Sequence, residues 1–483
     1  MGADRRVAGL VLLLGVVSPG CVSPSMQSDL ARVRELTHLP LPQQMAEARD
    51  VSTGFPKEVG QLLQQPLTAD AAVRIAFLNN RELRASLRDL GVARGQLLQA
   101  GVLPNPQVEL ELRQQEDPSL PFEPQTEIRV EYGLSQAVLS VVRARAARNE
   151  LEAARYRTAA FVVELGYTVR AAFYAFQAAQ QRVAIATQAL DAFAAARDAS
   201  QALFEAGNVP ELDVATQDAA YESARATVAQ LELEVLERRE PLQRLLGLHG
   251  EATAWTVTET LPRMAGEEPS FENLERRAVT ASLELAETQR RLEGAAQRAG
   301  LTRVEGWLPE VSVGVIAERK SPVAPAHGEW EWGGVLHFTV PLFDRRQGTR
   351  SAYEAEFDAL MERYQGMAID VRSAAREARN RVQSTALRAR QYQQVLLPAR
   401  QRVMRQTLLQ YNAMQLGIFQ VLQVRREQLD AELTYVELLR EYWTAHAALE
   451  ALLAGRRTGA SMGGPMGAGG PSSLAGGTEA GGH

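Results

Sequence analysis

Cysteine is almost absent: Cys21 is the only one in 483 residues. A single thiol excludes an intramolecular disulfide framework and any metal site built from several cysteines. Histidine is scarce as well, six in all, and no His or Cys pair stands at ligand spacing, so no metal site is assigned. No basic patch interleaved with aromatic residues occurs, and 52 basic against 58 acidic residues leave the chain mildly acidic. Both features argue against a nucleic-acid partner. Neither a phosphate-binding glycine loop after a strand nor a nucleophile elbow is present, so no catalytic residue and no cofactor is assigned and the chain is not read as an enzyme. The one early apolar run, residues 7–17, is too short to cross a bilayer as a helix.

That run has Arg5 and Arg6 before it and Ser18-Pro19-Gly20-Cys21 after it, which are the parts of an export signal. The break resembles a bacterial lipobox, with Ser18 where Leu is usual, so cleavage before Cys21 and an N-terminal lipid (palmitate) on it are expected. Val22 follows, with no Asp to favour inner-membrane retention, and an outer-membrane destination is expected. Residues 1–20 read as a signal peptide. Residues 21–65, rich in Ser, Gln and Pro, read as a lipid-anchored extended arm. Residues 456–483 are Gly, Ala, Ser and Pro for the most part. They cannot bury enough apolar surface to offset chain entropy, and a disordered tail is expected.

Between these ends the chain is one unit written twice. Residues 204–246 align without a gap on 411–453. Ala206, Val214, Leu231, Glu234, Leu242 and Leu246 fall on Ala413, Val421, Leu438, Glu441, Leu449 and Leu453. Leu103-Pro104 corresponds to Leu308-Pro309. The repeats are placed at 66–247 and 270–455, with a linker at 248–269. Each opens with a helix, about 71–100 and 271–299, ended by Leu-Pro because the residue before proline leaves the helical region. Two strands follow. Val108, Leu110 and Leu112 alternate with Glu109 and Glu111; Ile128, Val130, Tyr132 and Leu134 alternate with Glu127, Arg129 and Glu131. In copy two the strands are about 311–317 and 330–342, the second with Leu336, Phe338, Val340 and Leu342 against His337 and Thr339. The period then changes abruptly to that of a helix. Pro341 and Gly348 mark this junction, and its counterpart at 134–142 has neither residue at the bend.

The long helices are expected at about 142–205 and 347–411, the first roughly 90–95 Å at the helical rise. Pro210 opens the next helix as a first-turn residue, Gly247 closes it, and Pro398 should kink the copy-two helix. Four strands with one apolar and one polar face are not stable as an open exposed sheet. In a bilayer they persist only in a closed barrel, which takes at least about eight strands, so several chains must contribute. Soluble sandwiches also alternate, and the strands alone leave both solutions open. In a barrel, Glu109, Glu111, Glu127, Arg129, Glu131, His337 and Thr339 face the lumen, and Trp330 and Trp332 lie near the mouth.

The parts resemble the outer-membrane factor family, the TolC-like channels of tripartite efflux and secretion systems. The residues carrying the resemblance are Asn80-Arg81-Glu82-Leu83, Leu103-Pro104-Asn105-Pro106, Pro341-Leu342-Phe343-Asp344, and the hairpins at Gly207 and Gly417. The run from Pro341 to Gly348 is most like the CzcC branch of heavy-metal efflux outer-membrane lipoproteins. The resemblance implies a mainly α fold with a small membrane β-barrel: a homotrimer with a 12-stranded barrel and a long helical periplasmic tunnel. It also implies work with a periplasmic adaptor and an inner-membrane transporter of the resistance–nodulation–division class, in contact with outer-membrane lipid, with heavy-metal cations as a candidate cargo. The family closes its tip with acids after the hairpin turns. Asp213 matches in copy one, while Gln420 and Gln423 stand there in copy two, implying a weaker electrostatic constriction. A first-turn acid favoured by the helix dipole is an equal reading of Asp213. A pore-less lipid-anchored coiled-coil scaffold or adaptor, and the same duct serving protein secretion, stay open as alternatives.

Overall fold

The computed structural model describes residues 26–39, 41, 56–113, 125–258, 260–264, 270–319 and 330–458. The signal region with Cys21 and nearly all of the Gly-rich tail lie outside the described residues. Two short helices, α1 (Met26–Thr37) and α2 (Lys57–Leu62), precede the repeats. Copy one runs α3 (Ala69–Asn79), α4 (Arg81–Gly101), β1 (Gln107–Arg113), β2 (Gln125–Gly133), α5 (Leu134–Glu205) and α6 (Glu211–Leu246). Copy two runs α7 (Leu274–Ala281), α8 (Leu283–Glu305), β3 (Glu310–Arg319), β4 (Trp330–Thr339), α9 (Gln347–Gln391), α10 (Leu397–Asn412) and α11 (Ile418–Leu453). The strands form one antiparallel sheet in the order β1-β2-β3-β4.

The opening helix of each repeat is two helices, not one. Asn80 and Ser282 take extended backbone and cap the second piece, Asn80 Oδ1 accepting from Leu83 N at 2.9 Å and Ser282 Oγ from Leu285 N at 3.3 Å. A buried cap of this kind replaces a lost intrahelical bond, so the break carries little cost. The long copy-one helix starts at Leu134, not near 142, and its 72 residues span about 108 Å. Gly133 precedes it, so a glycine does stand at that bend. In copy two β4 ends at Thr339, leaving Val340 and Leu342 outside the ladder, since Pro341 has no N–H to donate. The turn into α9 is made by Arg346 at φ 55°, not by Gly348, which lies inside the helix. Pro210 is the cap rather than the first turn of α6. A five-residue π turn, Tyr392–Leu396, precedes Pro398 and joins α9 to α10. Widening the turn makes room for a ring that would clash with the preceding carbonyl. Pro241 lies inside α6.

The N-terminal segment is not an extended arm throughout. In α1, Leu30 and Val33 are buried, and Asp29 is 1% exposed, held by Arg94 (Nε 2.7 Å) and Arg155 (Nη2 2.6 Å). At the other end, Arg456 and Arg457 are not tail. Arg456 pairs with Glu164 and Glu284, and Arg457 with Glu284 and Asp370, fastening α5, α8 and α9 to the end of α11. The segment between the repeats is packed as well. Val257 bridges Leu67, Trp255 lies against Phe176, and Gln177 Nε2 donates to the carbonyls of Thr258 and Thr260. The main core sits here, where Phe173, Phe176, Leu242, Leu246 and Ile75 are essentially fully buried. At about 1.5–3 kcal/mol per buried side chain, this layer fixes the helices from which the sheet and the hairpins project in opposite directions.

Candidate functional site

Strand alternation sorts the sheet into two faces, and register decides which residues meet across it. On one face Glu109 stands opposite Arg129, and Gln107 opposite Glu131. The Arg129 guanidinium reaches Glu109 at 3.0 Å, Glu127 at 2.7 Å and Glu131 at 3.8 Å, and Arg113 binds Glu111 through two nitrogens at 2.8 and 2.9 Å. Ser312 Oγ donates to Glu131 at 3.2 Å. Gly314 faces Glu131 with no room for a side chain, since a Cβ there would lie 2.6 Å from the Val130 carbonyl. His337 is opposite Ser312, and Thr339 opposite Glu310. All seven residues expected to line the lumen thus share one face.

The same face holds residues the sequence reading missed. Glu111, Glu127, Glu318 and Glu331 form a row across all four strands near the ends remote from the helices, with Arg113 beside the first two. Counting every second residue forward along β3 from Ser312 and back along β4 from His337 would have found Glu318 and Glu331. The opposite face is apolar: Val108, Leu110, Val130, Val315, Leu336 and Phe338, every one of them exposed. Trp330 and Trp332 belong to this apolar face at its remote end, opposite Arg319 and Ala317. An extended exposed apolar sheet face next to a charged one is unstable in water and suited to lipid.

The hairpins lie at the far end of the helices. After α5 the chain reverses through Gly207 at φ 72°, with Gly207 N donating to the Phe204 carbonyl at 2.8 Å and Asn208 N to Leu203 at 2.9 Å. The second hairpin repeats these bonds through Met414 at φ 56°. Asp213 is the third residue of α6, half-buried, and its N–H reaches the Pro210 carbonyl at 3.0 Å. Gln420 holds the same place in α11 and is exposed. Gln423, one turn on, donates to Glu427 at 3.0 Å. That bond, together with Arg400, holds the Glu427 carboxyl below the usual range. Between α5, α10 and α11 near this end lies a cleft of about 710 Å³, kept open by Ala192, Ala195 and Ala199. No group of three His, Cys, Asp or Glu side chains placed to hold a metal ion occurs among the described residues.

A sheet with an exposed apolar face and a charged opposite face, continuous with helices of this length, is the architecture of a lipid-facing wall carried on a helical shaft. The chain belongs to the Outer membrane efflux protein family, whose sequence profile matches residues 72–248 and 275–455, one stretch per repeat. It is 25% identical over 415 residues to the cobalt-zinc-cadmium resistance protein CzcC of Cupriavidus metallidurans, covering 83% of this chain and 92% of that protein. Its fold is similar to the CmeC outer membrane channel of Campylobacter jejuni, with a TM-score of 0.70 at 15% identity over 88% of this chain and 94% of that one. It is also similar to CusC, described as a transmembrane channel, with a TM-score of 0.67 at 17% identity over 86% and 97%. The family's work is efflux, not catalysis.

Proposed function

We propose that the chain is the passive exit duct of a tripartite exporter, working as a homotrimer with a periplasmic adaptor and an energised inner-membrane pump of the resistance–nodulation–division type. The observation that carries this reading is the continuity of each sheet hairpin with a long helix: β2 passes directly into α5 at Gly133, and β4 into α9 through Arg346. A bilayer-embedded mouth and a periplasmic shaft are thereby one covalent piece. Cys21 carries the lipid anchor. The charged face lines the lumen, and Asp213, with its counterparts Gln420 and Gln423, frames the tip. Three Asp213 carboxylates repel one another and attract cations, while the glutamines contribute no charge, so the constriction is gated weakly by electrostatics.

The proposed cargo is heavy-metal cations. The relative named for cobalt, zinc and cadmium resistance supports it, and the glutamate row on the lumen face suits cation traffic. Two measurements test the reading. Purified chain in a planar bilayer is expected to give stepwise conductance, whereas a pore-less scaffold gives none. A strain lacking the gene is expected to lose tolerance to cobalt, zinc or cadmium salts and keep its tolerance to organic drugs. Loss of drug tolerance alone, or of protein secretion alone, refutes the cargo assignment while leaving the duct intact.

A further inference from the structure

Each repeat serves as a control for the other where strand passes into helix. Leu103-Pro104 leads into β1 as Leu308-Pro309 leads into β3, so Gln107↔Glu131 corresponds to Ser312↔His337, and Gly133 to Thr339. In copy one β2 passes straight into α5, and residues 134–139 are helical. Their polar groups are committed: Ser135 Oγ accepts from Val311 N at 2.9 Å, and Gln136 Nε2 donates to Glu310 at 2.9 Å. In copy two the matching residues, 340–346, form a loop. This loop lies on the end of α8. Gly306 meets it so closely that a Cβ there would clash with the Arg345 carbonyl, and the Arg346 guanidinium reaches Glu305 at 3.0 Å.

Three side chains of this knot take no part in building it. Phe343 is 93% exposed, Trp307 is 72% exposed, and the Arg345 guanidinium lies over the Trp307 ring, 5.2 Å from its centre. The nearby carboxylates are engaged elsewhere, Asp344 by the backbone N–H of Arg346 and Glu305 by Arg346 and Arg143. No carboxylate pairs with Arg345 among the described residues. Copy one has Val102, Ala137 and the buried Leu139 at the three equivalent places. It makes its junction without an aromatic ring or a cation there, so the junction itself does not call for them.

We propose that Trp307, Phe343 and Arg345 form a binding site for the headgroup of an anionic phospholipid at the periplasmic rim of the wall, one site per chain. The two rings sit at the acyl boundary, and the Arg345 guanidinium takes the phosphodiester. The proposal rests on the membrane-duct reading and goes beyond it by naming a lipid class and the residues that select it. Exposed rings where a lipid-facing surface ends suit the headgroup layer, which is apolar on one side and wet on the other. β4 carries that surface, through Leu336 and Phe338, directly to the loop that holds Phe343. A guanidinium is a planar fork that grips a phosphodiester through two N–H donors, and stacking on an indole holds the fork in place beforehand. A zwitterionic headgroup brings its own ammonium to its phosphate. An arginine with no carboxylate partner therefore favours a headgroup of net negative charge.

The test is lipid retention by purified full-length channels. Channels equilibrated with equal parts of phosphatidylglycerol and phosphatidylcholine are examined by native mass spectrometry for the lipid that stays bound. Wild type is expected to retain phosphatidylglycerol about fivefold over phosphatidylcholine, the advantage expected of one arginine at an anionic surface. Arg345→Gln should abolish that preference. Arg350→Gln should keep it, since Arg350 is paired with Glu354 at 2.8 Å. Trp307→Ser should lower retention of both lipids. Equal retention of the two lipids by wild type, or an unchanged preference in R345Q, overturns the site. A second measurement does not depend on the Arg345 variant. Phe343→Cys in a Cys21→Ala chain is labelled with an environment-sensitive fluorophore and placed in vesicles of the same two lipids. Nitroxide-bearing headgroups should quench the label more strongly than aqueous iodide does. Quenching by iodide alone overturns the proposal. Protection from both quenchers means that protein covers the loop, a second copy of the chain included, and overturns it as well. A wild-type chain that does not conduct in planar bilayers refutes the duct reading itself, whereas a conducting wild type with no lipid preference refutes only the site.

Discussion

Asn80 joins two helix ends. Its side-chain oxygen caps α4 while its amide donates to the Leu245 carbonyl at 2.9 Å, and it is buried. Asn80→Ala removes a cap and leaves the part-buried Leu245 carbonyl without this donor, an expected loss of about 1–2 kcal/mol in thermal unfolding. Asn80→Asp keeps the cap and should lose less. Met414 holds a left-handed backbone that its counterpart Gly207 adopts freely, and it is 95% exposed, so no packing opposes a change. Met414→Gly is expected to stabilise the chain by about 0.5–1 kcal/mol, measurable as a higher unfolding temperature. At mid-body, a hydrogen bond from His446 holds the Glu450 carboxyl below the usual range, burial opposing it and Arg170 assisting. A lowered native pKa means that the stabilisation is complete at neutral pH and is lost as pH falls from the ordinary carboxylate range through the lowered value. Glu450→Gln should flatten that acid-side loss in unfolding measured between about pH 6 and pH 3.

At the scale of elements, the two strand faces invite opposite substitutions. Leu110 lies mid-strand on the apolar face, opposite Ile128. Leu110→Arg is expected to impair membrane assembly by about 2–4 kcal/mol, read from the fraction of chain recovered as folded oligomer. Val340→Arg, outside the ladder, should be tolerated, and equal recovery of both variants would refute the facing assignment. The strands were legible because each face meets a different medium, so the two-residue period is written into Val108 to Leu112 without help from distant residues. The hairpin turns were legible for a similar reason, since Gly207 acts locally, but in the second hairpin the left-handed residue is Met414 and Gly417 only caps the following helix. Helix α1 was not legible. Its order comes from Arg94 and Arg155, 65 and 126 residues away from Asp29, and nothing in a Ser- and Gln-rich stretch announces them. The breaks at Asn80 and Ser282 were hidden by good helix formers on both sides. The clamp of Arg456 and Arg457 looked like the start of a tail because its acids lie on three other helices.

At the scale of the whole molecule, two attachments to the membrane are proposed, the barrel wall and the lipid on Cys21. They should be separable. Cys21→Ala is expected to abolish metabolic labelling with palmitate while oligomers and conductance persist, because about a dozen strands hold the bilayer without help from one acyl anchor. Complete loss of oligomers in that variant would count against the barrel. The order of elements was readable from the repeat, since helix, Leu-Pro, strand, strand and long helix recur in both copies, whereas the barrel followed only from the resemblance carried by particular motifs. The charged face was readable only in part, because Gly314 and Ile316 on β3, and Gly333 and Val335 on β4, interrupt the polar alternation before it reaches Glu318 and Glu331.

The repeat has a consequence for symmetry. A duct of three chains ends in six hairpins, all built on the same turn, through Gly207 and Met414 alternately. In backbone they follow a sixfold ring. In charge they do not, for an acid follows one turn and a glutamine the next, at Asp213 and Gln420. A partner that grips backbone finds six equal places around the rim, and one that senses charge finds three. The stoichiometry of whatever docks there is therefore set by which of these two symmetries it reads.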